Sequence, residues 1–398
     1  AGARRRAADL LQRRMLGRRG IALSRGWAAL ALQPGDVVAL DGHAGGWRIE
    51  TLEWEGMAVR LGLAGVPVQG APTPQGADGG SGVRQADRPV GPTHAALVEV
   101  PQLSDSPATE PQMVVAACGD TRGWRGAAIL LREGADSLVP LGSIRRPAML
   151  GEALSLLPPG PPGLFDMASF VEIRLHDADA LPVPASDAAL VNGANACMVG
   201  EELLQFGHVS QSGPRSYRLS RLLRGRRGTE HRMQDHAVGE AVLLLGGGEG
   251  LLALSGGTAM AGRMVGIAAQ GIGDAMPVTA QRIADGRAML PLSPVHVRAE
   301  GDAATGLSFR WTRRSRQGWA WLDGTDAPIG EEREAYGVEI WGGKALLRSG
   351  TVSAPQWTYA AEAVAADLAL AGGGALSFAV RQYGTYGAGP ATRRVLSL

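Results

Sequence analysis

The chain has 398 residues, more than one hydrophobic core accommodates, so about two to four domains are expected. Its 39 Lys and Arg against 38 Asp and Glu leave a formal charge of +1, which excludes a partner held mainly by electrostatics, such as duplex DNA or an anionic membrane. A hydrophobic fraction of 45% suffices for packed cores, no run approaches the ~18 uncharged apolar residues of a membrane helix, and 58 glycines with 24 prolines suit a turn-rich β protein.

Cys118 and Cys197 are the only cysteines, too few for a disulfide framework or a four-Cys zinc site. Lys344 is the only lysine, a bias typical of GC-rich coding. Arg4-Arg5-Arg6 is followed by no apolar stretch of the kind a signal peptide needs, and a start at Ala1 suggests the C-terminal part of something longer.

Residues 3–17 are the best helix candidate. Ala7, Leu10, Leu11 and Met15 recur at helical spacing, arginines fill the other face, and Gly17 and Gly20 stop it. Such a helix is expected to pack on the first sheet with its arginines solvated, rather than to touch phosphates. Short strands follow at 21–23, 27–32 and 37–40, the last after the turn Gln33-Pro34-Gly35-Asp36. In 47–54, Trp47, Ile49 and Thr51 alternate with Arg48, Glu50 and Leu52 as in a half-buried strand, and Glu55-Gly56 turns into a strand at 57–61. Residues 1–64 thus read as a helix and an antiparallel meander.

Residues 65–95, rich in Pro, Gly and polar side chains, read as a linker or long loop. Strands at 95–100, 113–117, 126–132 and 137–141 define a β segment over 96–166, which contains the Pro/Gly break at 156–163. A further β domain at 167–294 has strands at 171–175, 189–191, 202–206, 217–223, 241–245 and 250–255, the last two flanking Gly246-Gly247-Gly248-Glu249 as a hairpin loop. The tail, 295–398, holds Trp311, Trp319, Trp321, Trp341 and Trp357 and four of the five tyrosines, with strands about every ten residues as in a β-sandwich. The expected fold class is mainly β: several antiparallel β domains in series behind a short N-terminal helix.

No constellation carries chemistry. His231 and His236 stand five apart, a spacing that suits ligation on neither a helix nor a strand. The Gly246–Gly250 run lacks the Gly-x-Gly-x-x-Gly spacing of a dinucleotide loop, and no Gly-x-Ser-x-Gly, Walker or His-Glu-x-x-His motif occurs. Glu201-Glu202 and Glu331-Glu332 are adjacent, which on a strand points them to opposite faces, a poor arrangement for paired acid–base work. Neither cysteine has a nearby His to act as its base, so both read as small buried residues. No catalytic, cofactor or metal residue is assigned. The segment 217–230 (YRLSRLLRGRRGTE) concentrates arginines against the single acid Glu230. Arginine forks tie loops and neighbouring subunits together, so Arg221, Arg224, Arg226 and Arg227 are candidate inter-subunit contacts.

Residues 191–206 (VNGANACMVGEELLQF), the arginine-rich segment and His236 together resemble the large tail-tip and baseplate hub proteins of siphophage-like particles and of the gene transfer agents of alphaproteobacteria. Leu32-Gln33-Pro34-Gly35-Asp36-Val37-Val38 with Trp47-Arg48-Ile49-Glu50 is similar to an earlier hub segment, and Trp124-Arg125-Gly126-Ala127-Ala128 to a later one. The TIM-barrel-like domain that such proteins often carry at their N-terminus has no counterpart in this chain. The last hundred residues resemble a fibronectin type III sandwich: Leu307-Ser308-Phe309-Arg310-Trp311 as second strand, 336–340 as third, and 376–383 with 393–398 closing it.

The resemblance implies a structural, non-enzymatic component of a tail tip or baseplate hub. It would act as a homotrimer, contact other tail and baseplate proteins and face the host envelope, with no cofactor and no direct DNA binding. Two alternatives stand beside it. One is an envelope-acting hydrolase of the tail tip. The other is an adhesion module in which Trp319, Trp321, Trp341 and Trp357 stack on host surface glycan.

Overall fold

The computed structural model describes residues 7, 10, 11, 14–66, 88–134, 137–246, 250–317 and 324–397. The protein is mainly β and divides into two compact units, Ala1–Ala86 and Asp87–Leu398.

In the first unit β1 (Gly20–Arg25), β2 (Val37–Leu40), β3 (His43–Glu55) and β4 (Ala58–Val66) form an antiparallel sheet in the order β1-β4-β3-β2. Trp47 and Ile49 point inward with Val59, Leu61 and Leu63, while Arg48 and Glu50 pair outside at 3.1 Å. A bulge between Ile49 and Thr51 breaks the expected alternation: Thr51 is exposed and Leu52 joins the core edge. Residues 27–32, read as a strand, contain a 3-10 helix, Trp27–Ala31, whose Ala29 is buried. The N-terminal helix is present at Ala7, Leu10, Leu11 and 14–17, but its apolar side is not packed as expected: Leu10, Leu11 and Met15 are all more than 60% exposed.

The second unit opens with β5 (Thr93–Glu99), β6 (Met113–Gly119), β7 (Ala127–Glu133), β8 (Ser137–Ile144) and β9 (Leu150–Ala153). It continues with β10 (Asp166–Leu175), the one-turn helix α1 (Asp187–Val191), β11 (Ala196–Val199), β12 (Glu202–Gly213), β13 (Ser216–Leu223), β14 (Ala241–Leu244), β15 (Leu251–Leu254), β16 (Met264–Gly271) and β17 (Val278–Ile283). Strands β9 to β14 close into a barrel, β10-β13-β12-β11-β14-β9, filled by Val171, Ile173, Leu204, Phe206, Leu219 and their neighbours. The flanking strands make two sheets, β15-β6-β5 and β17-β16-β7-β8, packed face to face through Met113, Val115, Ile129 and Ile267. The outer face of the first sheet then packs on the barrel, bringing Val98, Ala116 and Cys118 against Leu150, Met198 and Leu243. Strand β6 is therefore covered on both faces, which explains its unbroken apolar run MVVAAC.

This arrangement corrects the expected boundaries. Segments 96–166 and 167–294 are not consecutive domains, because β6 pairs with β15 and β7 with β16, and the barrel is inserted between them. Nor do the strands around Gly246 form a hairpin: β14 pairs with β9 and β11, and β15 with β6. Residues 247–249, and 67–87 of the expected linker, lie outside the described residues. Residues 189–191, expected as strand, end α1, which Ser186 caps through Ala189 N–H.

The C-terminal module contains β18 (Val295–Asp302), β19 (Gly306–Thr312), β20 (Tyr336–Gly342), β21 (Ala345–Val352), β22 (Gln356–Tyr359), α2 (Ala361–Leu370), β23 (Leu376–Gly384), β24 (Gly387–Ala388) and β25 (Thr392–Val395). Sheet β18-β19-β22 faces a sheet in which β20 and β23 are flanked by β21 and β25, the three-on-four sandwich that its alternating strands suggest. Phe309, Trp311, Tyr336 and Phe378 fill its centre.

Candidate functional site

The arginine-rich segment lies at one end of the barrel, where β10 and β12 begin and β13 ends. Arg224, which follows β13, is wholly buried. Its Nε and Nη2 donate to Glu202 at 2.9 and 2.8 Å, and Nη1 donates to the Pro158 carbonyl at 2.8 Å and lies 3.5 Å from Asp166. Gly225 N–H donates to the same Glu202 carboxylate at 2.6 Å, and His236 bridges Glu202 and Glu240 at 2.7 Å on each ring nitrogen.

The local backbone is shaped for this cluster. Gly225 has φ 57°, and a Cβ there would lie 2.7 Å from the Glu230 Cα. At Gly160 a Cβ would lie 2.3 Å from the Asp166 carboxylate, so the Pro/Gly run at 156–163 comes close enough for Pro158 to accept from Arg224.

Electrostatics follow from this geometry. Burial opposes the charge on His236, yet the hydrogen bonds to Glu202 and Glu240 outweigh it and raise the imidazole to about 9. Burial likewise opposes the Glu202 charge, but His236, Arg224 and Gly225 N–H hold its carboxyl below the usual range. At neutral pH the cluster is a closed set of charges: guanidinium, imidazolium and carboxylates.

Two further clamps radiate from the same stretch. Glu201, pointing opposite to Glu202, accepts from Arg282 at 2.6 Å and from Arg287, tying the barrel to the β15–β17 sheets. Glu230 accepts from Ser293 Oγ at 2.8 Å and from Arg314, tying it to the C-terminal sandwich. The arrangement can transmit load between modules. Neither thiol is activated: Cys197 is in the barrel core with its thiol pushed up by burial, and burial raises Cys118 to about 12. Among the described residues no His, Cys, Asp and Glu group has the geometry to hold a metal.

Of the four candidate contact arginines, Arg224 is corrected: with no exposed surface and every donor nitrogen engaged within the chain, it cannot serve a neighbour. Arg226 is half-buried, donating to Gln205 at 2.9 Å, and Gln205 in turn holds the Leu190 and Ala194 carbonyls. Arg227 is half-buried with φ 56°. Arg221 lies across Phe165 at 4.8 Å and pairs with Asp187, its Nε–Oδ1 distance being 2.8 Å.

The candidate glycan tryptophans fare differently. Trp357 is stacked among Phe309, Tyr359 and Phe378 in the sandwich core, so its ring is not a free platform. Trp341 is half-buried, with Arg393 4.7 Å over its ring and its indole N–H donating to Glu339. Trp319 and Trp321 lie outside the described residues. Glu202, His236 and Glu240 were not singled out as a unit from sequence, although Gly200, with φ 54°, was a signal: a Cβ there would meet the Glu240 carboxylate at 2.0 Å.

A cleft of about 240 Å³ opens beside β5 and β9, lined by Thr93, His94, Glu152 and His176. The two imidazoles stack at 4.0 Å with planes 5° apart, and burial, helped by His94, lowers His176 to about 4.

Residues 1–52 match a family model described as "Putative phage tail protein", and residues 148–243, almost the barrel itself, match one described as "Rcc01698-like, C-terminal". Among curated proteins none matches the chain. A solved structure of the rat CD45 extracellular region, domains d3-d4, is 12% identical over 31% of this chain and 56% of that one, with a TM-score of 0.20.

Proposed function

We propose that the chain is a structural component of the hub at a phage-type tail tip, in a virion or gene transfer agent particle, and belongs to the C-terminal part of a hub polypeptide. The observation that carries this is the pair of family matches, one to a phage tail protein at residues 1–52 and one to a C-terminal domain spanning the barrel at 148–243. The geometry is in keeping with it. The charges of the signature segment, buried at Glu202 and part-buried at Glu201 and Glu230, tie the barrel to the flanking sheets and to the C-terminal sandwich, as a structural component requires.

In this reading the protein is not an enzyme, needs no cofactor, and assembles as a homotrimer with other tail and baseplate proteins. With Arg224 buried, the half-buried Arg221, Arg226 and Arg227 remain the candidate contacts to a neighbour.

Peptide mass spectrometry across a density gradient of particles from a producing culture tests the proposal. Peptides of this chain peaking with tails are expected, and cross-links between identical residues of different copies would accompany a trimer. A chain confined to the soluble fraction as a monomer refutes the hub reading.

A further inference from the structure

Two histidines from different modules meet at the seam between the β15-β6-β5 sheet and the barrel. His94 lies on β5 and, by strand alternation, shares the face of Ala96 and Val98 that packs on the barrel. In register it stands opposite Cys118 of β6, whose side chain is wholly buried in that same contact. His176 belongs to the barrel: its N–H donates to the Leu150 carbonyl of β9 at 2.9 Å, and its own carbonyl accepts from Arg215 at 2.8 Å. The stacked pair of rings, 4.0 Å apart, is therefore a side-chain contact between two modules. Both rings are half-buried and line the cleft of about 240 Å³, which is roomy enough for water to reach them.

From this contact we infer an acid-released latch: protons entering the cleft turn the His94–His176 stack from neutral rings that attract into cations that repel, and the sheet parts from the barrel around Cys118. Parallel rings suit neutral imidazoles, whereas like charges 4.0 Å apart in a half-buried site repel strongly. The surrounding charges do not cancel that repulsion. On β9, Glu152 favours a proton on His176, but Arg174 of β10 engages it with an Nε–Oε1 distance of 3.0 Å, and Arg215, ahead of β13, adds a second cation. After β10, Asp177 accepts from the Asp179 N–H, Asp179 pairs with Arg122 at 2.7 Å, and Asp177 and Asp120 bear on Cys118. Ahead of β14, Glu240 is taken by His236, and ahead of β17, Asp274 holds the N–H groups of Thr93 and Gly271. Burial, His94, Arg215 and Arg174 together hold His176 at about 4, against 6.5 when free. The closed seam thus binds fewer protons than the open one, and closure weakens as pH falls from 6.5 to 4. That span caps the gain in opening at roughly 300-fold, before screening by water in the cleft reduces it. The inference goes beyond the hub reading and does not depend on it.

The two cysteines supply the test, because Cys118 reports the seam and Cys197 the barrel core. Each thiol of the 398-residue chain is reacted with 2,2′-dipyridyl disulfide, a reagent active in acid, and resolved by peptide mass spectrometry. The urea-unfolded chain at each pH gives the intrinsic rate. Protection of Cys118 is expected to fall by roughly tenfold or more between pH 6.5 and 4.5, while that of Cys197 changes by less than about threefold. His176→Phe keeps a flat ring with nothing to titrate and should flatten the Cys118 profile, its fold checked by circular dichroism at pH 7.5. Glu152→Gln, which deletes the carboxylate favouring the proton, should move the loss of protection to lower pH. Four results would each overturn the latch: a flat wild-type Cys118 profile; Cys197 losing protection in step with Cys118, which is unfolding of the whole chain; an unchanged profile in folded His176→Phe, which would assign the effect to carboxylates; or no displacement in Glu152→Gln.

Discussion

Replacing Arg224 with alanine leaves the carboxylates of Glu202 and Asp166 at the barrel end without their guanidinium, and the Pro158 carbonyl without its donor. Arg224 and Glu202 are both fully buried, so no water can take over, and breaking such a pair from one side costs about 3–5 kcal/mol. An exposed pair gives the contrast. Arg218–Glu172, at 2.9 Å on the outer wall of the same barrel, is worth ~1 kcal/mol or less. Hydrogen exchange read by mass spectrometry on the 398-residue chain separates the two, because peptides from β11, β12 and β13 report opening of the barrel alone. At ~1.4 kcal/mol per factor of ten, Arg224→Ala should speed their exchange by roughly two to three and a half orders of magnitude, and Arg218→Ala by less than about tenfold. If Arg224→Ala left barrel exchange within threefold of wild type while changing only the oligomeric state, the guanidinium would be an intersubunit group after all and the argument from burial would fail.

Three more outcomes are expected. His236 is held at about 9 in the folded chain against 6.5 when free, so its contribution is whole below pH 6.5 and drains as pH rises to 9. Barrel exchange should accelerate across that window by an amount worth at most about 3 kcal/mol, and His236→Phe should flatten the profile. Gly225→Ala meets both a left-handed backbone and the Glu230 Cα, whereas Gly239→Ala, at φ 86° in open space, meets only the first. Thermal melts should therefore show Gly225→Ala losing about 2–4 kcal/mol and Gly239→Ala about 1–2. Arg314→Ala cuts the link from the sandwich to Glu230 and Ser293, so limited proteolysis should open the 284–294 connection while the sandwich survives as a fragment.

Strand content was readable because alternation is local. Trp47 and Ile49 faced inward as their spacing implied, and Phe309, Trp311 and Phe378 lie in the sandwich core. Pairing was not readable: β6 looks the same whether its partner lies next to it or beyond an inserted barrel, and nothing in MVVAAC names Leu251–Leu254. The site was half legible. Adjacent Glu201 and Glu202 do point to opposite sides, but one serves a module clamp and the other the barrel interior. Five closely spaced arginines suggested an outward, partner-seeking face, because charge is the usual mark of exposure. The residue that broke the rule, Arg224, did so through Glu202, His236 and a carbonyl from a loop some sixty residues earlier.

The insertion of the barrel between β8 and β15 also orders events in time. Strands β9 to β14 are contiguous in sequence and can close on their neighbours early, whereas Met113 must wait for Leu254 to be made before β6 gains its second partner. Until then β6 holds an unsatisfied apolar edge, and a preformed barrel shortens the search by holding the ends of β8 and β15 close together. During synthesis the inserted module therefore serves as a splint for the sheets that surround it, and a lesion such as Arg224→Ala, which loosens the splint, should trap the nascent chain with β6 uncovered.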